Sequence, residues 1–291
     1  MTIIDGKKVA AEIRAELKKE IDELKSQGKL VPGLIAILVG NNPASESYVK
    51  GKSKACEEIG MRSKIEKLST EISEQELLEA IEKYNLDKDY NGILVQLPLP
   101  KHINEGKVIE AITPEKDVDG FHPISVGNLV IGNDTFLPCT PAGIQELLSR
   151  YNIPIKGKHV VVVGRSNIVG KPIANILLQK KENANAIVTV CHSAAKDISY
   201  YTKQADILIV AIGLPKFVKA DMVKDGVIII DVGINRVEDS TTVKGYKIVG
   251  DVDFDEVSRK ASFITPVPGG VGPMTIAMLL KNTYKAYSIQ N

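Results

Sequence analysis

Cysteine is scarce in this chain, with Cys56, Cys139 and Cys191 the only three among 291 residues. They are far apart, odd in number and outside any CxxC or Cys/His spacing, which argues against a disulfide framework and against a zinc site. Buried free thiols in a reducing compartment are expected instead, and no metal is expected. Charge of one sign is also lacking: the formal net charge is +1. That leaves no electrostatic case for a nucleic-acid partner or an anionic membrane surface, and Lys50 to Lys54 is too short and mixed to alter it. No apolar run approaches the ~20 residues of a membrane span. The first residues, Met-Thr-Ile-Ile-Asp-Gly-Lys-Lys, lack the apolar stretch of a secretion signal. Repeats and low-complexity segments are absent too. A cytoplasmic protein is the expectation.

What is present is ordinary globular material, 44% hydrophobic and 25% charged. The length predicts two domains at roughly 150 residues each. Helical and strand patterns alternate from end to end, so the fold class is α/β with parallel sheets. Apolar Val9, Ile13, Leu17, Ile21 and Leu24 give an amphipathic helix over 6–27. Strands follow at 34–39, 65–68 and 92–97, with helices at 43–59 and 73–84 between them. Residues 113–140 are turn-rich with little periodicity, and such a stretch is more often functional than not. A second series begins with strands at 158–163, 186–191, 206–212 and 227–231, and helices from about 170 and near 196–203. The charged segment 236–247 reads as a solvated loop, and 273–288 as a helix.

Strand Val160–Val163 runs directly into Gly164-Arg165-Ser166-Asn167-Ile168-Val169-Gly170. A glycine-containing strand-to-helix turn points backbone amides and a helix N-terminus at a pyrophosphate. The match to G-x-G-x-x-G is imperfect, because Ser166 replaces the second glycine and Gly170 comes one residue late. An NAD site places an acidic residue on the ribose about 20 residues onward. Here the second strand ends in Cys191-His192-Ser193, with no carboxylate to repel a 2′-phosphate. Ser193 can donate, His192 can charge and Arg165 offers a bidentate fork, which favours NADP over NAD.

In the first half, Asn42 and Pro43 mark a helix start. At about 100° per residue, Tyr48, Lys52, Ala55, Cys56 and Ile59 share one stripe, while Lys50 and Lys54 fall outside it. An inward lysine is rare unless paired or functional; the plain alternative is a lysine snorkelling at the stripe's edge. Gln96 ends a strand at the carboxyl edge of its sheet, where α/β proteins bind ligands. Asp119 sits in the turn-rich loop, where a carboxylate could pair with an amidine-like or amino-pyrimidine edge in a substrate.

Several blocks together carry a family resemblance. They are Tyr-Val-x-x-Lys at 48–52, Val-Gln-Leu-Pro-Leu-Pro at 95–100, Pro-Glu-Lys-Asp-Val-Asp-Gly-Phe-His at 114–122 and Pro-Cys-Thr-Pro at 138–141. Further along come the 164–172 turn, Asp-Val-Gly-Ile-Asn-Arg at 231–236, Gly-Asp-Val-Asp-Phe at 250–254 and Thr-Pro-Val-Pro-Gly-Gly-Val-Gly-Pro-Met-Thr at 265–275. In this order they resemble the bifunctional methylenetetrahydrofolate dehydrogenase/methenyltetrahydrofolate cyclohydrolase family.

The resemblance implies a folate-binding catalytic domain over 1–137, completed by the helix 273–291, and a Rossmann-like NADP-binding domain over 138–272, with a cleft between them. It implies NADP-dependent oxidation of 5,10-methylenetetrahydrofolate, then hydrolysis of the methenyl product to 10-formyltetrahydrofolate. Lys52 would be the central catalytic group, Gln96 would orient it, Tyr48 would lie against the substrate and Asp119 would hold the pterin edge. Pro268, Gly269 and Gly270 would help form the substrate site. Gly164, Arg165, Ser166, Ile168, His192, Ser193, Ile234 and Thr140 would hold the cofactor. A homodimer is implied as well. A shikimate-dehydrogenase-like oxidoreductase or a non-catalytic dinucleotide-binding module would share the two-domain shape without needing Lys52, Gln96 and Asp119 together.

Overall fold

A computed structural model describes residues 1–242 and 245–291 of the chain. Strand β1 (Thr2–Ile3) precedes helix α1 (Gly6–Ser26), whose Val9, Ile13, Leu17 and Ile21 form the buried stripe. Strand β2 (Gly33–Val39) is buried at every position, as its unbroken apolar run requires. Helix α2 (Pro43–Ile59) starts at Asn42, whose Oδ1 accepts the amides of Ala44 and Ser45 at 2.9 and 3.2 Å. It stops at Gly60, left-handed at φ 87°. Strand β3 (Arg62–Leu68), helix α3 (Glu74–Leu86) with its Ser73–Glu76 capping box, and strand β4 (Gly92–Val95) complete a βαβαβ series. The three strands form a parallel sheet in the order β3-β2-β4.

The stretch expected to be irregular, 113–140, is more ordered than its composition suggests. After α4 (Glu105–Glu110) and a 3-10 turn at Pro114–Lys116 comes α5 (Pro123–Ile131), and α6 (Cys139–Arg150) begins at the end of the stretch. Pro123 takes the first helical position, His122 Nδ1 accepts the amide of Ile124 at 3.0 Å, and Gly132 closes α5 at φ 85°. Ile124, Val130 and Ile131 are exposed, so α5 has no polar outer face and hence no legible helical period.

The second series runs through β5 (His159–Val163), α7 (Gly170–Leu178), β6 (Ile187–Cys191), α8 (Ile198–Thr202), β7 (Ile207–Val210) and β8 (Ile228–Asp231). Strands β9 (Asn235–Glu238) and β10 (Tyr246–Val249), helix α9 (Phe254–Val257), strand β11 (Phe263–Ile264) and helix α10 (Val271–Gln290) follow. The reading of 236–247 as a solvated loop is corrected: β9 and β10 pair antiparallel, with Asn235 opposite Val249 and Glu238 opposite Tyr246. The Arg236 guanidinium lies 4.5 Å from the centre of the Tyr246 ring, and Lys247 pairs with Asp239 at 3.0 Å. These contacts hold a hairpin whose polar sequence hides it; residues 243 and 244 of that segment lie outside the described residues.

Two compact units emerge. One comprises Met1–Ala10 and Thr140–Thr275, the other Ala11–Cys139 and Ile276–Asn291. The first holds a six-stranded sheet in the order β1-β11-β8-β7-β5-β6, parallel at every pairing. The two-residue β1 brings the first ten residues into this unit by pairing with β11. The second unit holds the three-stranded sheet.

Candidate active site and dinucleotide site

In the three-stranded unit the chain moves from β2 to β3 on one side and then crosses to β4 on the other. The carboxyl ends of β2 and β4 therefore flank a topological switch point, the place where open α/β sheets accept ligands. Helix α2 runs antiparallel to the strands, so its first turns reach this edge. Lys52 on α2 is 8% exposed, and its Nζ donates to Gln96 Oε1 at 3.1 Å. Gln96, one residue beyond β4, donates from Nε2 to the carbonyl of Leu97 at 2.7 Å and from its backbone amide to Ile37 at 2.9 Å. The amide is thereby oriented with its oxygen toward the lysine.

Tyr48 departs from the stripe reading. The buried face of α2 consists of Ser45, Val49, Lys52, Ser53, Ala55, Cys56 and Ile59, whereas Tyr48 is 51% exposed. Its phase is close to that of Lys52, but it sits one turn nearer the open edge of the sheet, where its own unit does not cover it.

Asp119 is half-buried in densely packed surroundings. Burial pushes its pKa up and Asp117 adds to the rise, while the positive charge of Lys52 pulls it down. Cys139 donates its thiol to the carbonyl of Val118 at 3.4 Å and lies 3.8 Å from Asp119 Oδ1; burial drives that thiol's pKa well above normal. Asp117, two residues before Asp119, does a different job. Its carboxylate accepts the amides of Gly120, Phe121 and His122 at 3.2, 3.3 and 2.8 Å and the Ser125 hydroxyl at 2.8 Å. It folds the loop that carries Asp119.

Two residues the sequence reading missed support this corner. Asn282 on α10 donates from Nδ2 to the carbonyls of Val118 and Leu137 at 2.8 and 3.0 Å. Lys116 is a second inward lysine, 7% exposed, with Nζ on the carbonyls of Tyr84 and Asp87 at 2.8 and 2.6 Å. It caps the end of α3, so inward burial of a lysine is not by itself a sign of chemistry. No sequence signal marks Asn282, since its partners are carbonyls far away in the chain.

The six-stranded unit has its own switch point. Strand β6 lies on one side of β5 and β7 on the other, so a crevice opens between the carboxyl ends of β5 and β7. Gly164 sits there at φ 120°, and a Cβ on it would fall 2.3 Å from the carbonyl oxygen of Ala211. A Cβ on Gly170 would fall 2.3 Å from the carbonyl oxygen of Gly164. The first glycine makes the turn and the second lets α7 pack against it, which are the fingerprint's jobs at altered spacing. Ser166 fills the position of the missing glycine as a cap, its Oγ accepting the amides of Val169 and Gly170 at 3.1 and 3.2 Å. A Cβ at either glycine would break this tight strand-to-helix turn, whose geometry fits a dinucleotide.

Val163 and Cys191 pair in register at the ends of β5 and β6. Arg165 and Ser193 lie two residues beyond them on neighbouring strands, and both are exposed, as is Ile168. His192 is half-buried and its Nδ1 accepts the amide of Ala194 at 3.2 Å. Thr140 shares a hydrogen bond with Thr275 at 2.8 Å between hydroxyls. Ile234, 53% exposed, lines an open pocket of about 470 Å³ with Lys7, Asp231 and the 266–273 loop, including Pro268, Gly269 and Gly270. Asp231, ending β8, is buried, and its pKa is pushed up to about 6, although the amides of Gly233, Asp251 and Val252 all donate to it at 2.9 Å.

All three cysteines are buried and free. Among the described residues no group of three His, Cys, Asp or Glu side chains is placed to hold a metal ion, and no helix is long and apolar enough to cross a membrane.

Comparison with known proteins fits both units. A family model described as tetrahydrofolate dehydrogenase/cyclohydrolase, catalytic domain, matches residues 4–119, and one described as the NAD(P)-binding domain of the same family matches 138–291. A bifunctional protein FolD from Chloroherpeton thalassium is 58% identical over 289 residues, covering 99% of this chain and 98% of the relative. The crystal structure of the bifunctional enzyme FolD, methylenetetrahydrofolate dehydrogenase/cyclohydrolase, from Campylobacter jejuni superposes with a TM-score of 0.94 at 54% identity, covering 100% of both chains. The Trypanosoma brucei methylenetetrahydrofolate dehydrogenase-cyclohydrolase, solved with NADP and an inhibitor, also gives a TM-score of 0.94, at 39% identity, covering 100% of this chain and 98% of that one. With both domain models and full-length relatives in agreement, the chain belongs to the tetrahydrofolate dehydrogenase/cyclohydrolase family.

Proposed function

We propose that the chain oxidises 5,10-methylenetetrahydrofolate with NADP and hydrolyses the resulting methenyl cation to 10-formyltetrahydrofolate. The observation that carries this reading is the Lys52–Gln96 hydrogen bond in the same unit as the carboxylate of Asp119. Bound NADP supplies the hydride acceptor. Hydride transfer asks the protein for positioning rather than proton transfer. Hydrolysis asks for more: water adds to the cationic carbon, one of its protons ends on the ring nitrogen whose bond to that carbon breaks as the formyl group forms, and the other must be taken up and released to solvent. Lys52 is the group assigned to move that proton. Gln96 holds the lysine nitrogen without the charge pairing that a carboxylate would impose. Asp119 is assigned to the amino-pyrimidine edge of the pterin, and exposed Tyr48 to a face of the substrate.

Gly164, Ser166 and Ile168 are assigned to the pyrophosphate turn, with Arg165, His192 and Ser193 around the 2′-phosphate. Thr140 and Ile234 are assigned to the rest of the cofactor, and Pro268, Gly269 and Gly270 to the substrate. The free buried cysteines suit a reducing, cytoplasmic compartment, and the net charge of +1 suits a partner list without nucleic acid or membrane. Strand β6 is a sheet edge with Ile187 and Val190 exposed at 63% and 40%. Such an edge calls for a partner, and a homodimer through β6 is the assigned one.

Absorbance tests the reading. Methylenetetrahydrofolate with NADP should give NADPH and a transient methenyl product, and added methenyltetrahydrofolate should decay faster than in buffer. Failure to form NADPH would sink the dehydrogenase assignment, and uncatalysed decay the cyclohydrolase.

A further inference from the structure

The crevice in the six-stranded unit has a second wall, which none of the assigned residues explains. It is the backbone of Ile212 and Gly213, just past β7. Gly213 is exposed at φ 68°, opposite the Gly164 turn across the switch point. Both amides are taken by one carboxylate: Asp251 Oδ2 accepts Ile212 at 2.8 Å and Gly213 at 2.9 Å. Asp251 Oδ1 accepts the side-chain amide of Asn235 at 2.8 Å. Asp251 has no solvent exposure.

Asp251 is itself held by Asp231, which accepts the backbone amides of Asp251, Val252 and Gly233. The fit is close enough to demand glycine on both sides. A Cβ at Gly250 would lie within contact of Asp231 Oδ2, and one at Gly233 would lie 2.3 Å from Asp251 Oδ1. Two interlocked carboxylates thus set the spacing between the loop after β7 and the loop after β8. The latter carries Val232, Gly233 and Ile234, all of which line the pocket described above.

We propose that Asp251 is a positioning residue for the dinucleotide: with Asp231 beneath it, it fixes the Ile212–Gly213 backbone and Asn235, and so the shape of the crevice on the side facing Gly164. Buried polar groups without partners are costly, so removing the carboxylate releases the loop rather than leaving two amides unpaired in place. This rests on the NADP reading of this unit.

The family's two activities supply an internal control, since hydrolysis of supplied methenyltetrahydrofolate needs Lys52, Gln96 and Asp119 but no NADP. In Asp251→Ala, NADPH binding followed by fluorescence should weaken about tenfold or more, with hydrolysis kept within about threefold of the unsubstituted protein. Asp251→Asn should recover most of the binding. Its single oxygen can take both backbone amides, and its NH2 can face the oxygen of a flipped Asn235. If Asp251→Ala does not fold, Asn235→Asp sets two carboxylates against each other and should give the same selective loss, relieved by the Asp251→Asn/Asn235→Asp pair. Unchanged NADPH affinity, or equal loss of both activities, overturns the proposal. Absence of NADPH binding in the unsubstituted protein would instead remove the NADP reading itself.

Discussion

Lys52 Nζ meets the oxygen of Gln96 at 3.1 Å, and the other end of that amide is fixed by the carbonyl of Leu97 at 2.7 Å. The second contact decides which end of Gln96 the lysine sees. An amide free to flip would present donor to donor half of the time. Pinned by Leu97, it presents only an acceptor.

Replacing this acceptor or its lysine should separate binding from chemistry. Lys52→Met keeps the length of the side chain and fills the same buried stripe, so the fold and NADPH affinity should be unaffected. Hydrolysis of methenyltetrahydrofolate should be lost. Gln96→Glu should hold the lysine as a cation through a close ion pair and slow hydrolysis by at least about tenfold. Stopped assays with supplied methenyltetrahydrofolate check both, and undiminished 10-formyl product in Lys52→Met would remove Lys52 from its role.

Asp117 and Asp119 stand two positions apart and should respond oppositely to substitution. Asp117→Ala leaves three amides and a hydroxyl without their acceptor, in a buried corner. A loss on the order of 2–4 kcal/mol of stability is expected from a broken buried network. Asp119→Ala removes a carboxylate whose ionised form burial already disfavours, so unfolding in urea should move little while the KM for folate rises steeply. Equal destabilisation by both would show that Asp119 is another structural anchor.

How much of this was legible depends on where each residue finds its partners. Buried parallel strands announce themselves as unbroken apolar runs, and β2, β5 and β7 follow theirs closely. Lys52 was visible from helical phase, because one local helix decides which way it points. Helix α5 was not, since apolar side chains such as Ile124 and Ile131 face solvent and erase the period. The β9–β10 hairpin was hidden by its charges, and β1 is a strand only because β11 lies beside it. Asn282, Cys139 and Asp251 were invisible as supports, because each acts on backbone groups brought close by the tertiary fold.

Arg165 should set cofactor choice. Arg165 is exposed two residues past Val163, and Ser193 stands two residues past its register partner Cys191, where an NAD site would carry a carboxylate. A charge-assisted bidentate contact to a 2′-phosphate is worth about 1.5–3 kcal/mol. Arg165→Ala should therefore raise the KM for NADP by roughly ten- to a hundredfold and leave that for NAD nearly unchanged. Parallel increases for both cofactors would refute a 2′-phosphate role.

Asp231 should leave a mark on stability against pH. Its pKa is raised from 3.8 to about 6 in the folded protein, with burial the largest cause. A folded-state pKa above the unfolded one means that folding favours the protonated form. The stability this group contributes is complete below the unfolded value, and it is lost as pH rises through about 6. A rise of that size corresponds to something on the order of 3 kcal/mol. Asp231→Asn cannot titrate, although it forfeits one acceptor. Relative to the unsubstituted chain, the variant should gain stability steadily between the two pKa values and level off above the upper one. Urea unfolding at several pH values across that window measures the difference, and a stability of Asp231→Asn relative to the unsubstituted chain that stays constant or falls as pH rises would overturn the raised pKa of Asp231.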